Sequence, residues 1–211
     1  MNSDFPTSSG SVHWHLGPII DALRTSREST HNIRHQGRVR ELPSREVLGQ
    51  VVHGVSAALF PTHYGRPDLN DESIDYFVGD TLNVTLDRLV GQVRRALRFT
   101  PDAFPQSEES DEALLSERAQ ALTREFAASL PAIRALLVSD VQAALAGDPA
   151  ASSVAEIMLC YPGTIAILYH RLAHCLHRLG VPFLARIVAD IGHSLTGIDI
   201  HPGARIGGSF F

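Results

Sequence analysis

The sequence predicts a mainly α protein: a bundle of about six to eight helices, followed by the first partial coil of a parallel β-solenoid. Two observations carry this. Through most of the 211 residues, apolar side chains recur at about 3.6-residue spacing between clear start and stop signals, as amphipathic helices require. After Gly197 the period changes to six, with Ile198, Ala204 and Phe210 in one register and Ile200 and Ile206 in another, and Gly, Pro or small residues near each corner. Short strands with sharp corners and one inward apolar residue per side are written this way. The expected divisions are an irregular segment over 1–43, a helical domain over 44–195 and the start of a solenoid over 196–211.

Residues 1–11 are polar and Ser-rich, too poor in apolar surface to offset their ordering entropy. A short apolar pattern follows (Trp14, Leu16, Ile19, Ile20, Leu23), interrupted by Gly17-Pro18. Ser44 is placed to cap a helix through Val47, Leu48, Val51, Val52, Val55 and Leu59, which Pro61 stops. Asn70-Asp71-Glu72 starts a longer helix ending near Phe99, with Ile74, Phe77, Val78, Leu82, Val84, Leu86, Leu89, Val93 and Leu97 inward. The acidic run from Glu108 to Glu112 reads as a solvated face that leads into a helix over about 111–130.

Pro131 suits the first turn of a separate helix carrying Ile133, Leu137, Val141 and Ala144 and ending at Gly147. Ser153-x-x-Glu156 forms a capping box for a short helix. The next helix places Ile165, Leu168, Tyr169, Leu172, Leu176 and Leu179 on one stripe and ends at Gly180; the last runs from Pro182 to Gly197.

Net charge is −5, and 18 Lys+Arg against 23 Asp+Glu form no basic block, which argues against a nucleic-acid surface. Two cysteines, Cys160 and Cys175, give no disulfide framework and fit a reducing, cytoplasmic setting; both read as core residues. No basic segment followed by an apolar run opens the chain, and no window approaches eighteen apolar residues, so neither a signal peptide nor a membrane span is expected.

His170, His174 and His177 share one helix face, opposite the leucine stripe. Without a fourth ligand or an H-E-x-x-H pattern they read as solvated or interface histidines, and no metal site is expected. Asp199, between two inward isoleucines, faces the other way. It could cap a corner or orient a histidine for proton abstraction. Asp148, before Pro149 at a helix end, could form a turn or bind a ligand.

The segments G-I-D-I-H-P-G-A-R-I-G-G-S-F-F, S-D-V-Q-A-A-L-A-G-D-P-A-A, Y-P-G and Y-H-R-L-A-H-C-L-H-R-L-G together resemble the serine O-acetyltransferases, specifically across Ser139 to Phe211. The resemblance implies a helical domain joined to a left-handed parallel β-helix. It also implies acetyl transfer from the co-substrate acetyl-CoA to the hydroxyl of L-serine, making O-acetylserine for cysteine synthesis with no bound cofactor.

It implies a catalytic role for Asp199, as the carboxylate paired with the family's general-base histidine, and a serine-binding role for Asp148. His201 would be structural. Homo-oligomers, trimeric or hexameric, and an association with cysteine synthase are further implications. The family's D-H-G-T-G-like motif with the base histidine and its acetyl-CoA groove are not among these residues, so the 211-residue chain is expected to be a fragment lacking acetyl transfer. A non-catalytic helical assembly module and an acyltransferase for another small acceptor are the alternatives. The apolar residues of the closing stretch, lacking a covering coil, are expected to be disordered or to drive self-association.

Overall fold

The structure, a computed structural model, describes residues 14–30, 41–99 and 110–211. Readings of residues 1–13, of the polar segment over 31–40 and of the acidic run at Glu108 and Glu109 lie outside the described residues. The chain separates into two compact units, Met1–Glu41 and Leu42–Phe211.

In the first unit, α1 (Leu16–Thr25) continues into a π-helical turn, Ser26–Thr30. Gly17-Pro18 falls inside the first turn of α1, where a missing N–H costs nothing because those donors have no intrahelical partner.

The second unit is the helical bundle. Helix α2 (Arg45–Leu59) begins at Ser44, whose hydroxyl accepts from the Val47 N–H at 3.3 Å. Pro61 ends α2 and opens the single turn α3 (Pro61–Tyr64). Asn70 Oδ1 then accepts from the N–H groups of Glu72 and Ser73, a side-chain turn that leads into α4 (Ile74–Leu97). Val84, expected inside, is 41% exposed. It lies on a groove between α2 and α4 lined also by His53, Asp80 and Arg88.

Helix α5 (Ser110–Gly147) corrects the expected break at Pro131: the helix runs unbroken for 38 residues. Its buried apolar residues are Leu115, Ala119, Leu122, Phe126, Leu130, Ile133, Leu137, Val141 and Ala144, one stripe whose phase passes through position 131 unchanged. Pro131 itself is on the exposed side, away from the stripe, whose packing holds both halves in line. A window of this helix reaches a mean hydropathy of 1.3, enough by length and composition to cross a membrane. Here its apolar stripe packs on α2 and α4 and on the helices that follow.

Those are α6 (Val154–Cys160), α7 (Pro162–Arg178) and α8 (Pro182–Thr196). The capping box at α6 forms with a shift: Ser153 accepts from the Glu156 N–H, and Glu156 reaches back to the N–H of Ser152. Gly180, at φ 81°, closes α7 in the left-handed conformation, and Gly197, at φ 73°, does the same for α8. Cys160, expected in the core, is exposed at the last position of α6; Cys175 is partly buried. Leu48, Leu89, Leu137, Ile157, Leu172 and Leu184 form the fully buried centre.

Two crossings depend on the absence of a side chain. A methyl group at Gly54 would stand 2.2 Å from Thr85 Oγ1, and one at Gly192 would stand 2.7 Å from Tyr169 Cβ. Gly54→Ala is therefore expected to destabilise the bundle by about 1–3 kcal/mol. Gly79→Ala, on an exposed face of α4 with nothing within 4 Å, is expected to stabilise it by up to about 1 kcal/mol. Urea unfolding of the pair gives opposite shifts in midpoint if the α2–α4 crossing is this tight.

The solenoid coil is a second correction. Among the described residues no strand is present, and 198–211 is irregular chain with turns. A strand needs a neighbour to complete its hydrogen-bond ladder, and no described segment lies beside this one in that way. Its backbone groups are satisfied instead by side chains of α5 and α7. Of the two expectations for the closing stretch, disorder or self-association, disorder is corrected: the segment is docked, with Pro202 buried and Ile206 against the core, while Phe210 and Phe211 stay exposed.

Candidate functional site

Asp148 sits one residue beyond α5, its own N–H still bonded to the Ala144 carbonyl at 3.0 Å. Both carboxylate oxygens are held. Oδ1 accepts from the Ala150 N–H at 2.8 Å and Oδ2 from the Tyr161 hydroxyl at 2.7 Å. The Tyr161 bond, then the backbone bond, keep the Asp148 carboxyl below its ordinary range, so it is a fixed anion at neutral pH. The reciprocal effect pushes the Tyr161 phenol up to about 12, chiefly through the same hydrogen bond, so Tyr161 remains a donor. Tyr161 was not singled out from sequence as more than part of Y-P-G. Its value lies in its place, between α6 and α7 and 13 residues from Asp148.

Asp199 is exposed on the docked segment, two residues past the left-handed Gly197. His201 stands in a turn: its Nδ1 accepts from the Gly203 N–H at 3.0 Å, and its carbonyl accepts from the Ala204 N–H at 2.9 Å.

The feature that the sequence reading does not single out, although both residues stand in the quoted segments, is a buried ion pair. Arg171 of α7 donates from Nε and Nη2 to the two oxygens of Asp140 on α5, at 2.6 and 2.7 Å, with 4% and 3% of the side chains exposed. Arg171 Nη2 also donates to the Gly207 carbonyl at 2.8 Å, and Asp140 Oδ1 accepts from the Phe210 N–H at 2.9 Å. Beside them Ser139 Oγ accepts from the Ser209 N–H at 3.0 Å. Phe211 rests against Gly147, where a methyl group would stand 3.1 Å from its ring. The segment 206–211 thus lies along the end of α5 that carries Asp148.

Two of the three histidines of α7 meet residues 201 and 202, and the third is buried. His174 Nδ1 lies 2.8 Å from the Pro202 carbonyl, and the His177 ring meets the His201 ring edge-on at 6.2 Å. His170, 3% exposed, has an Nδ1 with no hydrogen-bond partner, and its ring lies 5.7 Å from that of His174. Burial, then the His174 and Arg171 charges, push its imidazole down to about 4. Among the described residues no three His, Cys, Asp or Glu side chains converge to hold a metal ion.

No family model matches the chain. It is 51% identical over 207 residues to a plasmid-encoded serine acetyltransferase of Synechococcus elongatus, which covers 94% of this chain and 62% of the relative. A serine acetyltransferase of Mycobacterium tuberculosis is 50% identical over 72 residues. In three dimensions the chain resembles serine acetyltransferase 1 of Entamoeba histolytica in complex with L-cysteine, with a TM-score of 0.56, 27% identity, and coverage of 90% of this chain and 60% of that one. The chain therefore spans somewhat less than two thirds of the length of these proteins. With half of its residues identical over nearly all of its length, the chain is a homologue of the serine acetyltransferases.

Proposed function

We propose that the chain contributes the serine-recognising carboxylate and the base-orienting carboxylate of a serine O-acetyltransferase. The observation that carries this is the 51% identity over 207 residues, a span that takes in nearly the whole chain. In this reading L-serine presents its ammonium group to Asp148, whose two oxygens are already fixed by Tyr161 and Ala150 and need no reordering on binding. An α-amino acid bound to the Entamoeba relative supports an acceptor of this class.

Asp199 would hold one nitrogen of a histidine supplied elsewhere in the active enzyme. The other nitrogen takes the serine Oγ proton as Oγ attacks the thioester carbonyl of acetyl-CoA. Collapse of the tetrahedral intermediate forms the ester and expels CoA thiolate, which takes up the proton. Acetyl-CoA is a co-substrate in this scheme. The working form would be a homo-oligomer in the cytoplasm, trimeric or hexameric, with cysteine synthase as a partner. The Asp148 anion favours an amino-acid acceptor over other small alcohols, which offer no cation to it.

The test is transfer by the gene product that carries this sequence, with CoA release and O-acetylserine formation measured together. Asp148→Asn is expected to raise the KM for serine about 10–100-fold, the loss of one charge-assisted bond, with the KM for acetyl-CoA unchanged. Asp199→Asn is expected to lower kcat about 10²–10⁴-fold. Absence of transfer to serine, or equal rates with acceptors lacking an amino group, overturns the reading.

A further inference from the structure

We infer that Asp140 and Arg171 are positioning residues for acetyl transfer, forming the joint that sets the Asp148 and Asp199 arms of the site against each other. The inference rests on the proposed serine acetyltransferase reading. The two carboxylates come from separate parts of the chain. Asp148 ends α5, and Asp199 lies on the segment that follows α8. Nothing in the helical ladder of α5 fixes one relative to the other.

The buried pair does. Asp140 belongs to α5 and Arg171 to α7, and between them they bind three peptide units of the segment: Arg171 reaches the Gly207 and Ile206 carbonyls at 2.8 and 3.5 Å, and Asp140 takes the Phe210 N–H at 2.9 Å. Ser139 adds the Ser209 N–H, and Ser209 adopts φ 56°, a left-handed conformation that a serine holds only when its neighbours are fixed. Asp140 stands two helical turns before Asp148, about 12 Å along the same rod. Upstream, His174 anchors the Pro202 carbonyl, so Asp199 lies three residues from a second fixed point.

An arginine suits this joint and a lysine does not. The planar fork satisfies both Asp140 oxygens and still has N–H groups for the two carbonyls, whereas an ammonium on a flexible stem keeps the charge but loses the forked geometry. A shift of an ångström between two catalytic arms is enough to cost about 10²-fold in rate.

The experiment compares the parent gene product with Arg171→Lys and, as a gentler change at a partly exposed site, Ser139→Ala. Expected for Arg171→Lys is a 10–100-fold loss of kcat/KM for serine, with the KM for acetyl-CoA unchanged and the circular dichroism of a folded bundle retained. Ser139→Ala is expected to lose about 2–5-fold in the same sense, the loss of one hydrogen bond. If Arg171→Lys fails to fold, Ser139→Ala alone decides. A folded variant with unchanged serine kinetics overturns the inference. So does a KM for acetyl-CoA that rises together with that for serine, which is what a merely structural role predicts. A parent enzyme that transfers nothing to serine overturns the functional reading instead, so the two failures are distinct.

Discussion

Methionine in place of Arg171 is expected to destabilise the bundle by about 3–5 kcal/mol. The Asp140 carboxylate would be left 3% exposed with a backbone N–H as its remaining partner, and moving an unpaired anion out of water costs far more than the attraction it loses. Asp140→Leu should do comparable damage by stranding the guanidinium. The double variant Asp140→Leu/Arg171→Met is expected to be more stable than either single one, because it strands no charge. Urea unfolding of the four proteins checks this, and additive losses in the double variant would refute it. The pair between Arg45 and Asp190 is a useful contrast. Its side chains are 49% and 55% exposed, and Arg45→Met is expected to cost less than about 1 kcal/mol.

Acid is expected to destabilise the protein in a window set by His170. In the unfolded chain its imidazole takes a proton near its ordinary value of 6.5, whereas in the fold burial holds it down to about 4. Between those values the unfolded state binds the extra proton, so stability falls as pH is lowered from about 6.5 to about 4, by up to roughly 3 kcal/mol.

Asp148 and Glu156 are held below the ordinary carboxyl range, and what their hydrogen bonds contribute is present above that range and lost only at more acid pH. The two effects therefore separate along the pH axis. His170→Leu should flatten the upper limb and leave the lower one. Thermal midpoints of parent and variant measured between pH 7 and pH 4 decide; parallel curves would rule His170 out as the cause.

Most helix boundaries were legible because their causes are local. Ser44 and Ser153 cap, Asn70 turns the chain ahead of α4, Gly180 and Gly197 close, and each acts within a turn of itself. The failures were not local. At Pro131 the missing N–H argues for a break, but a stripe of nine buried side chains in constant phase outweighs one hydrogen bond on the solvent side. In 198–211 the six-residue period is a property of side chains, whereas a strand is a property of paired backbones, and the donors here found Asp140 and Ser139. The motif around Asp148 marks that carboxylate in the sequence. Its orienting partner Tyr161 and the Asp140–Arg171 joint, separated by 13 and 31 residues, leave no periodic trace.

That α5 is one rod of 38 residues, about 57 Å long, also bears on how the protein opens. It packs on α2 and α4 as well as on α6 and α7, so the front and back of the bundle share a single helix as their spine. Two halves joined at a proline hinge could melt one after the other; a shared spine makes the loss of either half expensive for both. Slow amide exchange should accordingly hold on both sides of Pro131, which has no amide hydrogen, from Leu122 to Val141, and the bundle should unfold as one cooperative unit.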